Sequence, residues 1–227
     1  MLSQCQSAMG YSPRSPGRRI NSWSKNMRTS PCENSSEWQY QGAKRRYFDM
    51  QTNRPTQTVL HSGKFLTLIE EGHWQYVDRV KGSGAAIILA ETADQKVVLV
   101  EQYRIPVHAR TIELPAGIVG DEPGSSNESQ AEAARRELLE ETGYAADNFV
   151  PLMMGPSCSG LTSERVTLFH ATGLRRAGKG GGVANEEITT HEIPMAEVPR
   201  WLETKASTGI LIDPKIYAGL FFLTKNK

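Results

Sequence analysis

The chain has 227 residues, 26 Lys and Arg against 25 Asp and Glu, and three cysteines. That length suffices for one domain with a substantial core. A net charge of +1 gives no basic footprint for nucleic acid, and Cys5, Cys32 and Cys158, with no Cys-x-x-Cys pair, argue against a disulfide framework and against structural zinc.

Residues 1–46 are rich in Ser, Asn, Gln, Pro and Arg and lack hydrophobic periodicity, so a disordered basic extension is expected there. Eight Lys and Arg against Glu33 and Glu37 give it a charge of +6. An Arg- and Ser-rich, acid-poor start can be an organellar transit peptide, but Pro13, Pro16 and Gly17 interrupt any amphipathic helix. The longest purely apolar run, Ala85–Ala90, is far short of the roughly 20 residues that cross a bilayer. A protein without a membrane span, in a reducing cytosol, is the expectation, with organellar targeting left open.

The remainder, 47–227, reads as one domain. Val59 to Glu70 and His73 to Val80 read as an N-terminal hairpin over 58–80 turning at Glu71-Gly72. A core over 84–225 follows. Ala85 to Ala90 and Lys96 to Gln102 are continuous Val, Ile, Leu and Ala runs typical of strands buried on both faces. Thr111 to Leu114 is a short strand leading into a Pro115-Ala116-Gly117 turn, and Phe149 to Met154 and Arg165 to Thr172 are further strands. Gly178 to Asn185, with four glycines, reads as a mobile loop. Met195 to Thr204 and Pro214 to Thr224 read as closing helices.

Between these lies Ala131 to Tyr144, a run of strong helix formers stopped by Gly143. Ala131, Ala134 and Leu138 share one face; Glu137 and Glu141, one turn apart, share the neighbouring flank with Glu140 nearby. Three glutamates alone more often mark a solvated face. Here an arginine precedes the first, and a Glu113-Leu114-Pro115-Ala116-Gly117 turn precedes the helix.

Arg136-Glu137-Leu138-Leu139-Glu140-Glu141-Thr142-Gly143-Tyr144 resembles the second half of a Nudix box, Arg-Glu-U-x-Glu-Glu-x-Gly-U. The first half is less regular. Glu128 stands at the family's first glutamate, eight residues before Arg136, but the family glycine would fall on Glu122; Gly117 fits better, with ten intervening residues where the family has five. Glu128 and Glu122 both remain candidates for the first box glutamate. The flanks, Trp74 to Arg79, Val98 to Arg104, Ile112 to Gly117 and Asp213 to Tyr217, are similar to the ADP-ribose pyrophosphatase (ADP-sugar diphosphatase) branch.

That resemblance covers residues 58–225 and implies an α/β/α sandwich of the α/β class. It implies a Mg²⁺-dependent (Mn²⁺ possible) cleavage of a nucleoside diphosphate sugar, ADP-ribose first, into AMP and ribose 5-phosphate. It also implies that Glu137, Glu140, Glu141 and the Ala116 carbonyl hold the metal, with Arg136 orienting them. Magnesium takes oxygen ligands and shares substrate phosphates, which suits carboxylates on one rigid helix. By the same resemblance Trp74 stacks on the base, and Arg79, Arg104 and Glu113 bind the rest of the nucleotide. Glu186, or alternatively Glu164, is the catalytic base, and the chain is a homodimer without nucleic-acid or membrane partners. A different class, a Nudix-like module that senses a nucleotide without cleaving it, would be expected to lose the box carboxylates, which are kept here.

Overall fold

A computed structural model describes residues 55–225 apart from 123, 126, 184 and 185, with the backbone alone at Lys225. The expectation for residues 1–46 lies outside the described residues. The first strands are β1 (Gln57–Ser62), β2 (Leu66–Glu71) and β3 (Trp74–Arg79), an antiparallel sheet of order β1-β2-β3. This corrects the two-stranded hairpin expected over 58–80. The run from Val59 to Glu70 breaks at Gly63, whose N–H bonds the Leu66 carbonyl at 2.8 Å, so it turns back on itself instead of continuing as one strand. The Glu71-Gly72 turn is present, with Gly72 at φ 64, a left-handed conformation that glycine adopts without steric cost.

The main sheet contains β4 (Ala85–Glu91), β5 (Lys96–Arg104), β6 (Ala109–Glu113), β7 (Ala116–Ile118), β9 (Asn148–Pro156), β10 (Arg165–Thr172), β12 (Thr189–Pro194) and β13 (Leu211–Ile212). Its order is β13-β6-β5-β4-β10-β9, with β12 beside β5 and β7 beside β4. A two-stranded piece pairs β8 (Tyr144–Ala145) with β11 (Arg175–Arg176). Helix α1 (Gln130–Thr142) packs on one face; α2 (Val198–Ser207) and α3 (Lys215–Lys225) pack on the other. The architecture is therefore the expected α/β/α sandwich.

Strand alternation explains the two layers. Ala86, Ile88, Ala90 and Val98 join Ala133, Ala134, Leu138 and Phe169 beneath α1. Ile87, Leu89, Val97 and Leu99 join Val198, Leu202, Ile216 and Leu223 beneath α2 and α3. All of β4 from Ala86 to Ala90 is buried, which is why it reads as an uninterrupted apolar run. Each such Ile or Leu stabilises the fold by roughly 1.5–3 kcal/mol.

The ends of α1 are locked by sequence. Ser129 accepts from the Glu132 N–H while the Glu132 carboxylate accepts from the Ser129 N–H, a reciprocal capping box. Gly143 ends the helix at φ 74, its N–H donating to the Leu139 carbonyl at 2.8 Å.

The glycine run read as a mobile loop is instead tied to this helix end. The N–H groups of Ala177 and Gly178 donate to the Gly143 carbonyl, that of Gly181 to Glu141, and that of Gly182 to Glu140. A Cβ at Gly180 would collide with the backbone of Thr142 and Gly143. The glycines are thus required by close approach, and they satisfy carbonyls that a helix C-terminus otherwise leaves open. The helix expected from Met195 begins as a 3₁₀ turn (Met195–Glu197) and becomes α-helical at Val198. No described helix is long and apolar enough to cross a membrane.

Candidate active site

The site forms where α1 passes the β6–β7 turn. The N–H of Ala116 donates to Glu141 Oε2 at 3.0 Å, so the start of β7, where the sequence suggested a Pro115-Ala116-Gly117 turn, and the third box carboxylate are in direct contact. Glu137 lies against Gly117, where an added Cβ would overlap its carboxyl group. Glycine is needed there because the carboxylate occupies the space a side chain would take. Glu141, on the flank beside the apolar face, is 4% exposed and faces the sheet.

Arg136 organises the other carboxylates. Its Nε donates to Glu128 Oε1 at 3.0 Å and its Nη2 to Glu128 Oε2 at 3.2 Å. Nη1 reaches Glu137 Oε1 at 2.7 Å and Glu140 Oε2 at 3.3 Å, and Nη2 also reaches the Ile118 carbonyl at 3.1 Å. Glu128 Oε2 in addition accepts from the Gly120 N–H at 3.0 Å. Of the two first-glutamate candidates, Glu128 is in this network and Glu122 is exposed to solvent. The guanidinium fork matches carboxylate geometry, and so many acceptors hold it firmly protonated.

The electrostatics of Glu137 and Glu141 are unusual. Burial pushes Glu137 up to about 7, with Glu140 and Asp121 adding to the rise against the opposing Arg136 charge. Burial also pushes Glu141 up to about 8, with Glu137 and Glu186 adding to it against the Ala116 N–H and Arg104. Desolvation and like charge both disfavour ionisation. Beside them Asp121 Oδ1 is buried without a hydrogen-bond partner, 3.8 Å from Arg136 Nη2. These are the marks of a pocket short of positive charge, and its donors are all oxygens, the preference of a hard divalent cation. Among the described residues no three acidic, His or Cys side chains are gathered at metal-ligand spacing. An ion here would take Glu137 and Glu141 and complete its shell from main-chain oxygen, water and substrate.

Arg104 and Glu113 are joined in a bidentate pair, Nε to Oε1 at 2.7 Å and Nη2 to Oε2 at 2.6 Å. Thr111, two residues before Glu113 and so on the same strand face, donates to Oε1 at 2.5 Å. Burial alone would raise the Glu113 pKa, but the bonds from Arg104 and Thr111 outweigh it and keep it below the ordinary value. Glu186 is exposed, accepts from the Val183 N–H at 3.0 Å, and its charge bears on both Glu141 and Arg104.

Trp74, Arg79 and Glu164 form a second group. The loop between β9 and β10 is stitched along β3: Trp74 Nε1 donates to the Gly160 carbonyl at 3.2 Å, the Val77 N–H to Leu161 at 2.9 Å, and Ser163 Oγ to Asp78 Oδ1 at 2.7 Å. Arg79 is ion-paired to Glu164. Arg79 and Glu164, but not Trp74, border a cavity of about 330 Å³ lined also by Asp78, Ser83, Ser163 and Arg165. No hydrogen bond or ion pair of Trp74, Arg79 or Glu164 reaches Glu137 or Glu141. Sequence reasoning missed Thr111, Asp121 and the Gly120 N–H; only Thr111 carried a signal, its two-residue spacing from Glu113.

The sequence matches the NUDIX domain family over residues 80–209. Among curated proteins it is 31% identical over 127 residues to a methanol dehydrogenase activator of Bacillus methanolicus, covering 56% of this chain and 66% of that protein. It is 34% identical over 125 residues to a GDP-mannose pyrophosphatase of Pectobacterium atrosepticum, covering 52% and 62%. It is also 34% identical over 146 residues to one of Cronobacter sakazakii, covering 60% and 70%. The chain thus spans just under two thirds of the first two relatives. The fold is similar to a solved ADP compounds hydrolase, with a TM-score of 0.59 at 19% identity, over 76% of this chain and 92% of that one. With more than half of its length inside that domain family, and the box carboxylates gathered around Arg136, the chain belongs to the Nudix family.

Proposed function

We propose that this chain is a divalent-metal-dependent hydrolase that cleaves the pyrophosphate bond of a nucleoside diphosphate sugar. The carrying observation is the pair Glu137 and Glu141, two carboxylates pressed against Ala116 and Gly117 with too little positive charge around them. A divalent ion, Mg²⁺ first and Mn²⁺ second, held by Glu137, Glu141 and the Ala116 carbonyl with Glu140 at the rim, would neutralise the diphosphate and stabilise the leaving phosphate.

The chain's own residues supply the rest. Arg136 fixes the carboxylates, so little reorganisation is needed when substrate arrives. Arg104, held flat by Glu113, presents its remaining donors to a phosphate or ribose. Trp74, 52% exposed and anchored by its indole N–H, offers a stacking face to a base. Arg79 is a further anion contact. Glu186 takes the proton of the attacking water as one P–O bond forms and the bridging P–O bond breaks, releasing a nucleoside monophosphate and a sugar phosphate. Its charge bears on the site, whereas the alternative base Glu164 is engaged by Arg79.

ADP-ribose is the first candidate on the flanking motifs, and GDP-mannose the second on the names of several relatives. We also propose a homodimer in the cytoplasm. Its support is the apolar surface of the N-terminal sheet, where Val59, Phe65 and Leu66 are exposed; a monomeric mass by light scattering would remove it. The test of the function is release of AMP from ADP-ribose and of GMP from GDP-mannose, with and without Mg²⁺. Cleavage of at least one, dependent on metal, is expected. Binding without cleavage would instead favour a nucleotide-sensing module.

A further inference from the structure

Across the sheet from the Arg104–Glu113 pair sits a second charged cluster that the chemistry above does not use. In the β5–β6 ladder Glu113 pairs with Val100, Ile112 with Glu101, and Arg110 with Tyr103. Alternation therefore sets Arg104 and Glu113 on one face and Glu101 and Arg110 on the other. Glu101 Oε1 accepts from Arg110 Nε at 2.7 Å, and Oε2 bonds both His191 Nε2 and Lys205 Nζ at 3.0 Å. The carboxylate is 11% exposed. Burial would raise its pKa, but the bonds from Lys205, Arg110 and His191 prevail and bring it to about 2, so it stays charged.

Its place in the ladder is what matters. β5 runs beside β12 only as far as Glu101, which faces Thr189; from Gln102 to Arg104 the described ladder continues with β6 alone. A two-stranded ribbon twists and bends more readily than a wider sheet, so its direction is set at its root. Glu101 stands at that root and fastens four segments: its own β5, β6 through Arg110, β12 through His191, and α2 through Lys205. Arg104 lies three residues farther out, about 10 Å at roughly 3.3 Å per residue. Over that arm a tilt of about 10° at the root carries the Arg104 backbone about 2 Å away, enough to break the bonds of 2.6 and 2.7 Å by which its guanidinium is held on Glu113 and so to weaken a substrate contact.

We propose that Glu101 is a positioning residue, a clamp on the far face of the sheet that sets where Arg104 and Glu113 present themselves to substrate. The kinetic part of this rests on the nucleoside diphosphate sugar reading; the structural part does not. The test compares the full-length wild type with Glu101→Gln and Lys205→Met by amide hydrogen exchange and by steady-state kinetics on whichever of ADP-ribose and GDP-mannose the wild type cleaves. In Glu101→Gln the amides of residues 102–113 should exchange about tenfold faster while those of β4 hold, as local opening predicts. KM should rise about tenfold with kcat within about threefold, the pattern of a lost binding contact. Lys205→Met, which loosens only the α2 tie, should move both in the same direction by less, and it carries the test if Glu101→Gln does not fold. A merely stabilising cluster would lower Tm and leave KM alone. Unchanged exchange over 102–113 and unchanged KM in a folded variant would overturn the clamp. A wild type that cleaves neither sugar would sink the catalytic reading and leave the exchange result to decide the clamp.

Discussion

Replacing Gly117 with alanine puts one methyl group where the Glu137 carboxyl now lies. Apolar atoms settle about 3.5–4.0 Å apart, so the carboxylate must retreat by roughly 1.5–2 Å. It cannot do so and keep its 2.7 Å bond to Arg136, a charged hydrogen bond worth about 1.5–3 kcal/mol. Against this, alanine reduces the freedom of the unfolded chain and returns about 0.4–1 kcal/mol, so the net loss of stability should be about 1–2 kcal/mol. A shift of that size in a group proposed to hold the metal should lower kcat by about 10²-fold or more. Thermal unfolding and nucleotide release on the same preparation measure the two effects. A Gly117→Ala protein with activity within about threefold of wild type would refute the idea that Glu137 acts from its place against β7.

Two further outcomes follow from the raised carboxylates. Glu141→Gln keeps an oxygen for the Ala116 N–H but removes a charge that the folded state resists; turnover should vanish while the metal-free protein becomes more stable above about pH 8, and retained turnover would exclude a metal role. Glu137 and Glu141, raised to about 7 and about 8, favour the folded state while protonated. That contribution is full below the ordinary glutamate pKa of about 4.3 and is lost as pH rises through the folded values, at about 1.4 kcal/mol per pH unit for each group. The Tm of metal-free protein should therefore fall between about pH 5 and about pH 8.5. Saturating Mg²⁺ should raise Tm more at the alkaline end, because it binds the ionised forms; an equal gain at both ends would contradict this.

Much of the site was legible because it is local. A helix with Glu137 and Glu141 one turn apart, preceded by Arg136 and stopped at Gly143, needs only periodicity and a glycine to be read, and β4 and β5 announce themselves as buried runs. What escaped depends on contacts between distant segments. The glycines from Gly178 to Gly182 look like a loose loop until the backbone of Thr142 and Gly143 is seen pressed against them. Strand β12 was not anticipated because Thr189–Pro194 is polar by sequence and earns strand form only by pairing with β5. The turn at Gly63 was hidden inside an alternating pattern that reads equally well as one strand or two. Helical spacing sets Glu141 beside the apolar face, but its burial to 4% exposure comes from the sheet packed against that flank.

The central claim is that Glu137 and Glu141 hold a divalent ion which in turn holds a diphosphate. Anomalous diffraction from crystals soaked with Mn²⁺ and a non-hydrolysable nucleoside diphosphate sugar tests it most directly. A manganese peak bonded to Glu137 and Glu141 and to the diphosphate oxygens is predicted. Bound nucleotide with no such peak, or with the metal lodged elsewhere, would contradict it.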